Sequence, residues 1–82
     1  MNNFKLYCER VLSLHHISAD DTFILETSSD AHQVSYSWVI DTFDSASDTT
    51  QDIFKASLEK AILQGSNVRT FFQEMGQMAV GS

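Results

Sequence analysis

The stretch Gln33 to Phe43, reading Gln-Val-Ser-Tyr-Ser-Trp-Val-Ile-Asp-Thr-Phe, constrains this chain more than any other. Val34, Tyr36, Trp38 and Ile40 are apolar and alternate with Gln33, Ser35 and Ser37. A period of two sends successive side chains to opposite faces, as in a half-buried strand. β-branched and aromatic residues fill the stretch, and these suit a pleated surface. It also holds the single tryptophan, the largest block of buriable apolar area in the chain. The expectation is a central strand with Trp38 buried against a helical layer, near Phe23, Tyr36 and Phe72.

The other segments are read by how they cover that strand. Residues 3–17 show a helical stripe of Phe4, Tyr7, Cys8, Val11, Leu14 and His15. Leu6 and Leu12 widen the apolar arc. Ser18-Ala-Asp-Asp21 breaks the period with residues that bond their own backbone in turns. Thr22 to Thr27 reads as a short strand with Phe23 and Leu25 on one face. Its connection to the central strand is tested by parity. A loop of two residues at Ser29-Asp30, or of four over 28–31, pairs Leu25 with Val34 and Phe23 with Tyr36. An odd loop would reverse every side chain and split the apolar face. In that register Trp38 to Phe43 overhangs the end of its partner strand.

Beyond a polar linker, Asp48 followed by Gln51 resembles a capping box. The helix it opens carries Phe54, Leu58, Ala61 and Ile62 on one stripe and ends before Gly65, a left-handed C′ residue. Ser66 or Asn67 caps the last helix, whose stripe is Val68, Phe71, Phe72, Met75 and Met78 or Ala79. The tail from Ala79 is expected to fray. The result is one α+β domain over residues 1–82, ordered α-β-β-α-α, an antiparallel β-hairpin covered by helices.

At 82 residues such a chain has room for one modest core. Its formal net charge is −6, from 11 acidic and 5 basic residues. Binding to phosphate backbones ordinarily needs the opposite sign, so the balance favours a basic partner over nucleic acid. Cys8 is the single cysteine, which excludes an internal disulfide and suits a reducing, cytoplasmic setting. No apolar run reaches the roughly 18–20 residues of a membrane span.

Candidate chemistry is thin. Cys8 and His15 share a helical stripe, but seven residues place their backbones roughly 10 Å apart along the axis, beyond the contact a thiol–imidazole pair needs. His15, His16 and His32 lack the i, i+4 spacing of a helical metal site, and no cofactor or metal is expected. The pair of helices over 49–79 imitates a helix-turn-helix, with Ala61 and Gly65 at the right separation. Its second helix would offer a DNA groove only Arg69 as a cation, beside Glu74. Asp41, Asp44, Asp48 and Asp52 gather between the strand end and the next helix, as turn and cap residues or as an acidic surface for a basic groove.

The sequence carries no signature that specifies an activity. The leading expectation is a small acidic, non-enzymatic protein-interaction module, an adaptor or inhibitor. Its expected partner-binding residues are Trp38, Val39, Asp41, Phe43, Asp44 and Asp48. The unpaired backbone of strand 38–43 also suggests a homodimer, paired antiparallel about Ile40. A nucleic-acid-binding regulator using the helical pair is the alternative, and a small enzyme comes third.

Overall fold

A computed structural model of the chain describes residues 3–81. The elements run α1 (Phe4–Leu14), β1 (Thr22–Glu26), β2 (Ala31–Ser35), α2 (Tyr36–Asp44), α3 (Asp48–Leu63) and α4 (Val68–Gly81). This is an α+β architecture, an antiparallel hairpin flanked by helices, with one more helix than expected between the hairpin and the last helical pair. No described helix is long and apolar enough to cross a membrane.

Phe4, Cys8, Val11 and Leu12 form the buried face of α1. The helix stops earlier than its period suggests, because His16 takes the left-handed conformation at φ 58°. Ile17 N–H then donates to Leu12 O at 2.9 Å and His16 N–H to Ser13 O at 3.1 Å, closing the helix in a Schellman motif. Ile17 is thereby turned into the core. Leu14 is 77% exposed and His15 is exposed too, so neither belongs to the inner stripe.

In the hairpin Phe23 faces Val34, Leu25 faces His32 and Glu26 faces Ala31. The expected pairing is therefore shifted by two residues. Its parity is kept, so Phe23, Leu25 and Val34 still share one face. The shift follows from the loop, which spans Thr27 to Asp30. Thr27 N–H donates to Asp30 O at 2.8 Å, and Asp30 N–H to Thr27 Oγ1 at 3.1 Å. Ala31 N–H donates to the Asp30 carboxylate at 2.8 Å. Side chains thus fix a turn that lacks glycine.

The principal correction concerns 36–44, which is helix and not strand. Ser35 is its N-cap, the hydroxyl accepting from Trp38 N–H at 3.1 Å. Tyr36, Val39, Ile40 and Phe43 fall at i, i+3, i+4 and i+7, a helical stripe as complete as the alternating one. The first three are buried, whereas Trp38 points outward at 38% exposure. A strand here would have left its backbone unpaired, and a helix satisfies those groups internally. The overhang does not exist, and self-pairing of 38–43 about Ile40 has no strand to act on.

Ser47, one residue before the expected cap, starts α3, its hydroxyl accepting from Thr50 N–H at 3.2 Å. Gln51 does not reach back to Asp48. It is buried, and its Nε2 donates to the carbonyls of Phe43 at 3.1 Å, Asp44 at 2.8 Å and Ala46 at 3.3 Å. These oxygens sit at the end of α2, where helix geometry leaves carbonyls unsatisfied. Gln51 Oε1 is buried without a hydrogen-bond partner among the described residues.

The far end of α3 is as expected. Gly65 has φ 72°, Ser66 N–H donates to Ala61 O at 2.8 Å and Gly65 N–H to Ile62 O at 3.0 Å. Asn67 caps α4, its Oδ1 accepting from Arg69 N–H at 2.8 Å and Thr70 N–H at 3.3 Å. That helix continues through Gly81, past the expected fraying point.

Phe54 is the hub of the interior, with ring centroids 5.1 Å from Phe4, 4.9 Å from Phe43, 5.3 Å from Phe71 and 5.7 Å from Phe72. Tyr36 extends this aromatic packing to the hairpin, 5.8 Å from Phe72 and 4.8 Å from Phe23. One turn further along α4 on the same face, Gly76 lets β1 and α2 approach. A Cβ there would meet a Leu25 methyl at 3.0 Å and a Val39 methyl at 3.2 Å.

Phe54→Ala is expected to cost about 3–5 kcal/mol, whereas Trp38→Ala, at a partly exposed site, is expected to cost about 1–2 kcal/mol. Gly76→Val is expected to destabilise by about 1–3 kcal/mol through overpacking against Leu25 and Val39. Urea unfolding of the three variants checks the ranking, and a Trp38→Ala loss equal to that of Phe54→Ala would restore the buried-tryptophan reading.

Candidate protein interface

The hydrogen bonds flanking the hairpin set which backbone groups face outward. Tyr36 N–H donates to Asp21 O at 3.2 Å, and Thr27 N–H to Asp30 O at 2.8 Å. Antiparallel pairs alternate between bonded and non-bonded, so the backbone groups of Phe23, Leu25, His32 and Val34 point across the hairpin. Those of Ala31, Gln33 and Ser35 point away from β1. Asp30 takes the N–H of Ala31, and the carbonyl of Ser35 is committed to the first turn of α2. Left facing outward are Ala31 C=O, both groups of Gln33, and Ser35 N–H. Among the described residues, no bond joins the Gln33 backbone to another element.

The opposite edge is treated differently. Glu26 N–H donates to Gln77 Oε1 at 3.1 Å, and Gln77 Nε2 donates back to Glu26 O. One side chain of α4 thus occupies the outward groups of Glu26 at the turn end of β1, while among the described residues no bond joins the outward groups of Ile24 to another element. The β1 edge is clamped at its turn end, and the β2 edge carries no such clamp.

A groove of about 510 Å³ runs along the open edge, lined by β2, Trp38 and Val80. A second recess of about 320 Å³ lies between Thr42, Phe43 and Ala46 on one side and Met78 and Ala79 on the other. Both lie between α2 and the end of α4, and Met78 is 65% exposed. Trp38 is the largest apolar group lining either.

The residues expected to bind a partner are dispersed by the helix. Trp38 lines the groove. Val39 is fully buried and faces the core. Phe43 is half-buried against Phe54 and lines the second recess. Asp41 is exposed and ion-paired with Lys5 at 3.1 Å, Asp44 is exposed at the end of α2, and Asp48 lies in the first turn of α3. Sequence reasoning missed Ala31, Gln33, Ser35 and Val80. Recognising Ser35 as a cap ahead of a 3.6-residue period would have ended the strand there and found the edge.

The chain around the hairpin is one-sided in charge, although no acidic residue lines the groove itself. No lysine or arginine occurs from Val11 to Phe54, a stretch holding Asp20, Asp21, Glu26, Asp30, Asp41, Asp44, Asp48 and Asp52. Arg69 approaches Asp21 at 3.6 Å, and Lys55 approaches Asp52 at 4.0 Å. Such exposed pairs contribute little stability. Arg69 also lies over the Tyr36 ring at 5.9 Å and donates to its hydroxyl at 3.4 Å, so the one cation of the supposed recognition helix leans back onto the domain.

Among the described residues no three His, Cys, Asp or Glu gather as a metal site. Cys8 is fully buried, while His15 is exposed at the end of α1. Burial pushes the Cys8 thiol up to about 12, despite the opposing pull of Lys55. Burial and the neighbouring Glu59, which accepts from the Tyr7 hydroxyl at 3.2 Å, raise Tyr7 to about 12 as well. A thiol held neutral in this way is a poor nucleophile.

Both groups ionise more readily in the unfolded chain. Their contribution is complete below the unfolded value of 9.0 for Cys8 and is lost as pH rises toward about 12. The urea midpoint is expected to fall between about pH 9 and about pH 12, and Cys8→Ala should flatten that fall. A midpoint equally steep in the variant would remove Cys8 as a cause. In the native protein Cys8 should react with a thiol reagent only as fast as the structure opens.

No protein-family model, curated protein or solved structure matches this chain.

Proposed function

We propose that this chain is a non-enzymatic protein-interaction module, an adaptor or inhibitor that engages a protein partner. The observation that carries the reading is the open edge of β2 beside a groove walled by Trp38 and Val80. Unpaired strand edges template pairing with another chain, and exposed aromatic residues are enriched among the residues that dominate binding energy. The acidic composition and the cation-free stretch around the hairpin favour a basic partner over a nucleic acid. Arg69 supports the same choice, since its guanidinium is already shared by Asp21 and Tyr36.

Affinity capture with the wild-type chain and with Trp38→Ala tests this reading. A protein retained by the first and lost by the second is the expected result, with both chains folded by circular dichroism. Duplex DNA at physiological salt should give no complex, and Arg69→Ala should change stability by about 1 kcal/mol or less. A DNA complex weakened by Arg69→Ala would instead favour a helix-turn-helix regulator.

A further inference from the structure

We infer that the open edge of β2 receives an extended, basic segment of the partner as a third antiparallel or parallel strand, with an apolar side chain seated between Trp38 and Val80. The inference rests on the interaction-module reading and deepens it by naming the segment. The outward groups are Ala31 C=O, Gln33 N–H and C=O, and Ser35 N–H, spaced along one edge as a strand ladder requires. Nothing on the edge opposes pairing. Residues Ala31 to Ser35 contain no lysine, glutamate or proline, the devices that normally blunt an exposed strand.

The groove supplies the selectivity that backbone pairing lacks. Side chains of an added strand alternate between two faces. One set falls toward Val34, Trp38 and Val80, which favours apolar groups. The other set lies on the face that carries Thr22, Ile24 and Glu26, of which Glu26 is the one charge, with Asp30 at the turn. No lysine or arginine lies in either strand or in the loop. Alternating apolar and basic residues therefore fit, over about five residues, the length of β2. A second copy of this chain fits poorly. It would bring together two molecules of net charge −6 and oppose one acidic hairpin with another.

The test uses the isotopically labelled full chain and three synthetic peptides. One alternates lysine and valine, one alternates glutamate and valine, and one is the lysine peptide with its central valine replaced by proline. The lysine peptide, at up to about 1 mM, should shift Trp38 emission to the blue and slow hydrogen exchange at Gln33 and Ser35 at least about tenfold. The glutamate and proline peptides should each bind at least about tenfold more weakly. Trp38→Ala, confirmed as folded by its amide spectrum, should weaken the lysine peptide similarly. Equal binding by the lysine and proline peptides would reduce the contact to charge alone and overturn the strand. So would a wild-type dimer in light scattering whose Gln33 and Ser35 amides are protected without peptide. Lack of any protection at these two amides also overturns it. A Trp38-dependent partner captured from lysate would then leave the interaction module standing without its third strand.

Discussion

A single hydrogen bond, from Trp38 N–H to the Ser35 hydroxyl at 3.1 Å, marks the point on which this structure turns. It caps a helix that begins directly after a strand, with no loop between them. Once the chain winds at Tyr36, side chains that would have alternated across a sheet are sorted by a period of 3.6. Tyr36, Val39 and Ile40 go to the core, and Trp38 goes to the surface. The same event limits β2 to five residues and leaves, among the described residues, no third strand to cover its outer edge.

The switch explains what could and could not be read from the residues. The stripes of α3 and α4, the glycine that ends the former and the asparagine that starts the latter are local signals with local consequences. They survive in the structure because nothing competes with them. The segment 34–43 is different, since Val34, Tyr36, Trp38 and Ile40 fit a strand while Tyr36, Val39, Ile40 and Phe43 fit a helix. Short apolar runs carry this ambiguity, and tertiary packing decides it. His16 hid a helix end because left-handed backbone is usually announced by glycine or asparagine. Gln51 was visible as a capping residue, but its target was another helix. The parity of the hairpin could be derived from its apolar face, whereas its two-residue shift depended on how Thr27 and Asp30 bond to each other. The acidic balance was plain from the start, while the edge it surrounds could not be located until the strand's end was known.

Gln51 and Phe54 show how so small a chain is held together. They lie three residues apart on α3 and do different work on the same neighbours. Phe54 packs on Phe4, Phe43, Phe71 and Phe72, so its ring touches three other helices. Gln51 collects the carbonyls at the end of α2, fixing where that helix stops. Apolar contact is tolerant of angle, and hydrogen bonds are not. The aromatic cluster gathers the helices, and the amide fixes their connection. With α2 so fixed, Trp38 holds its place beside β2.

The clamp of Gln77 on Glu26 gives the hairpin a direction of growth. A two-stranded sheet with both borders free could add chains at either side and propagate, each newcomer exposing another border. Here the Gln77 clamp closes the turn end of one border, so additions are hindered there and meet no such clamp on the other. The two borders of the hairpin are therefore unequal. A strand added beside β2 would have the clamped border of β1 on the far side of the hairpin, which hinders a second addition at the turn end.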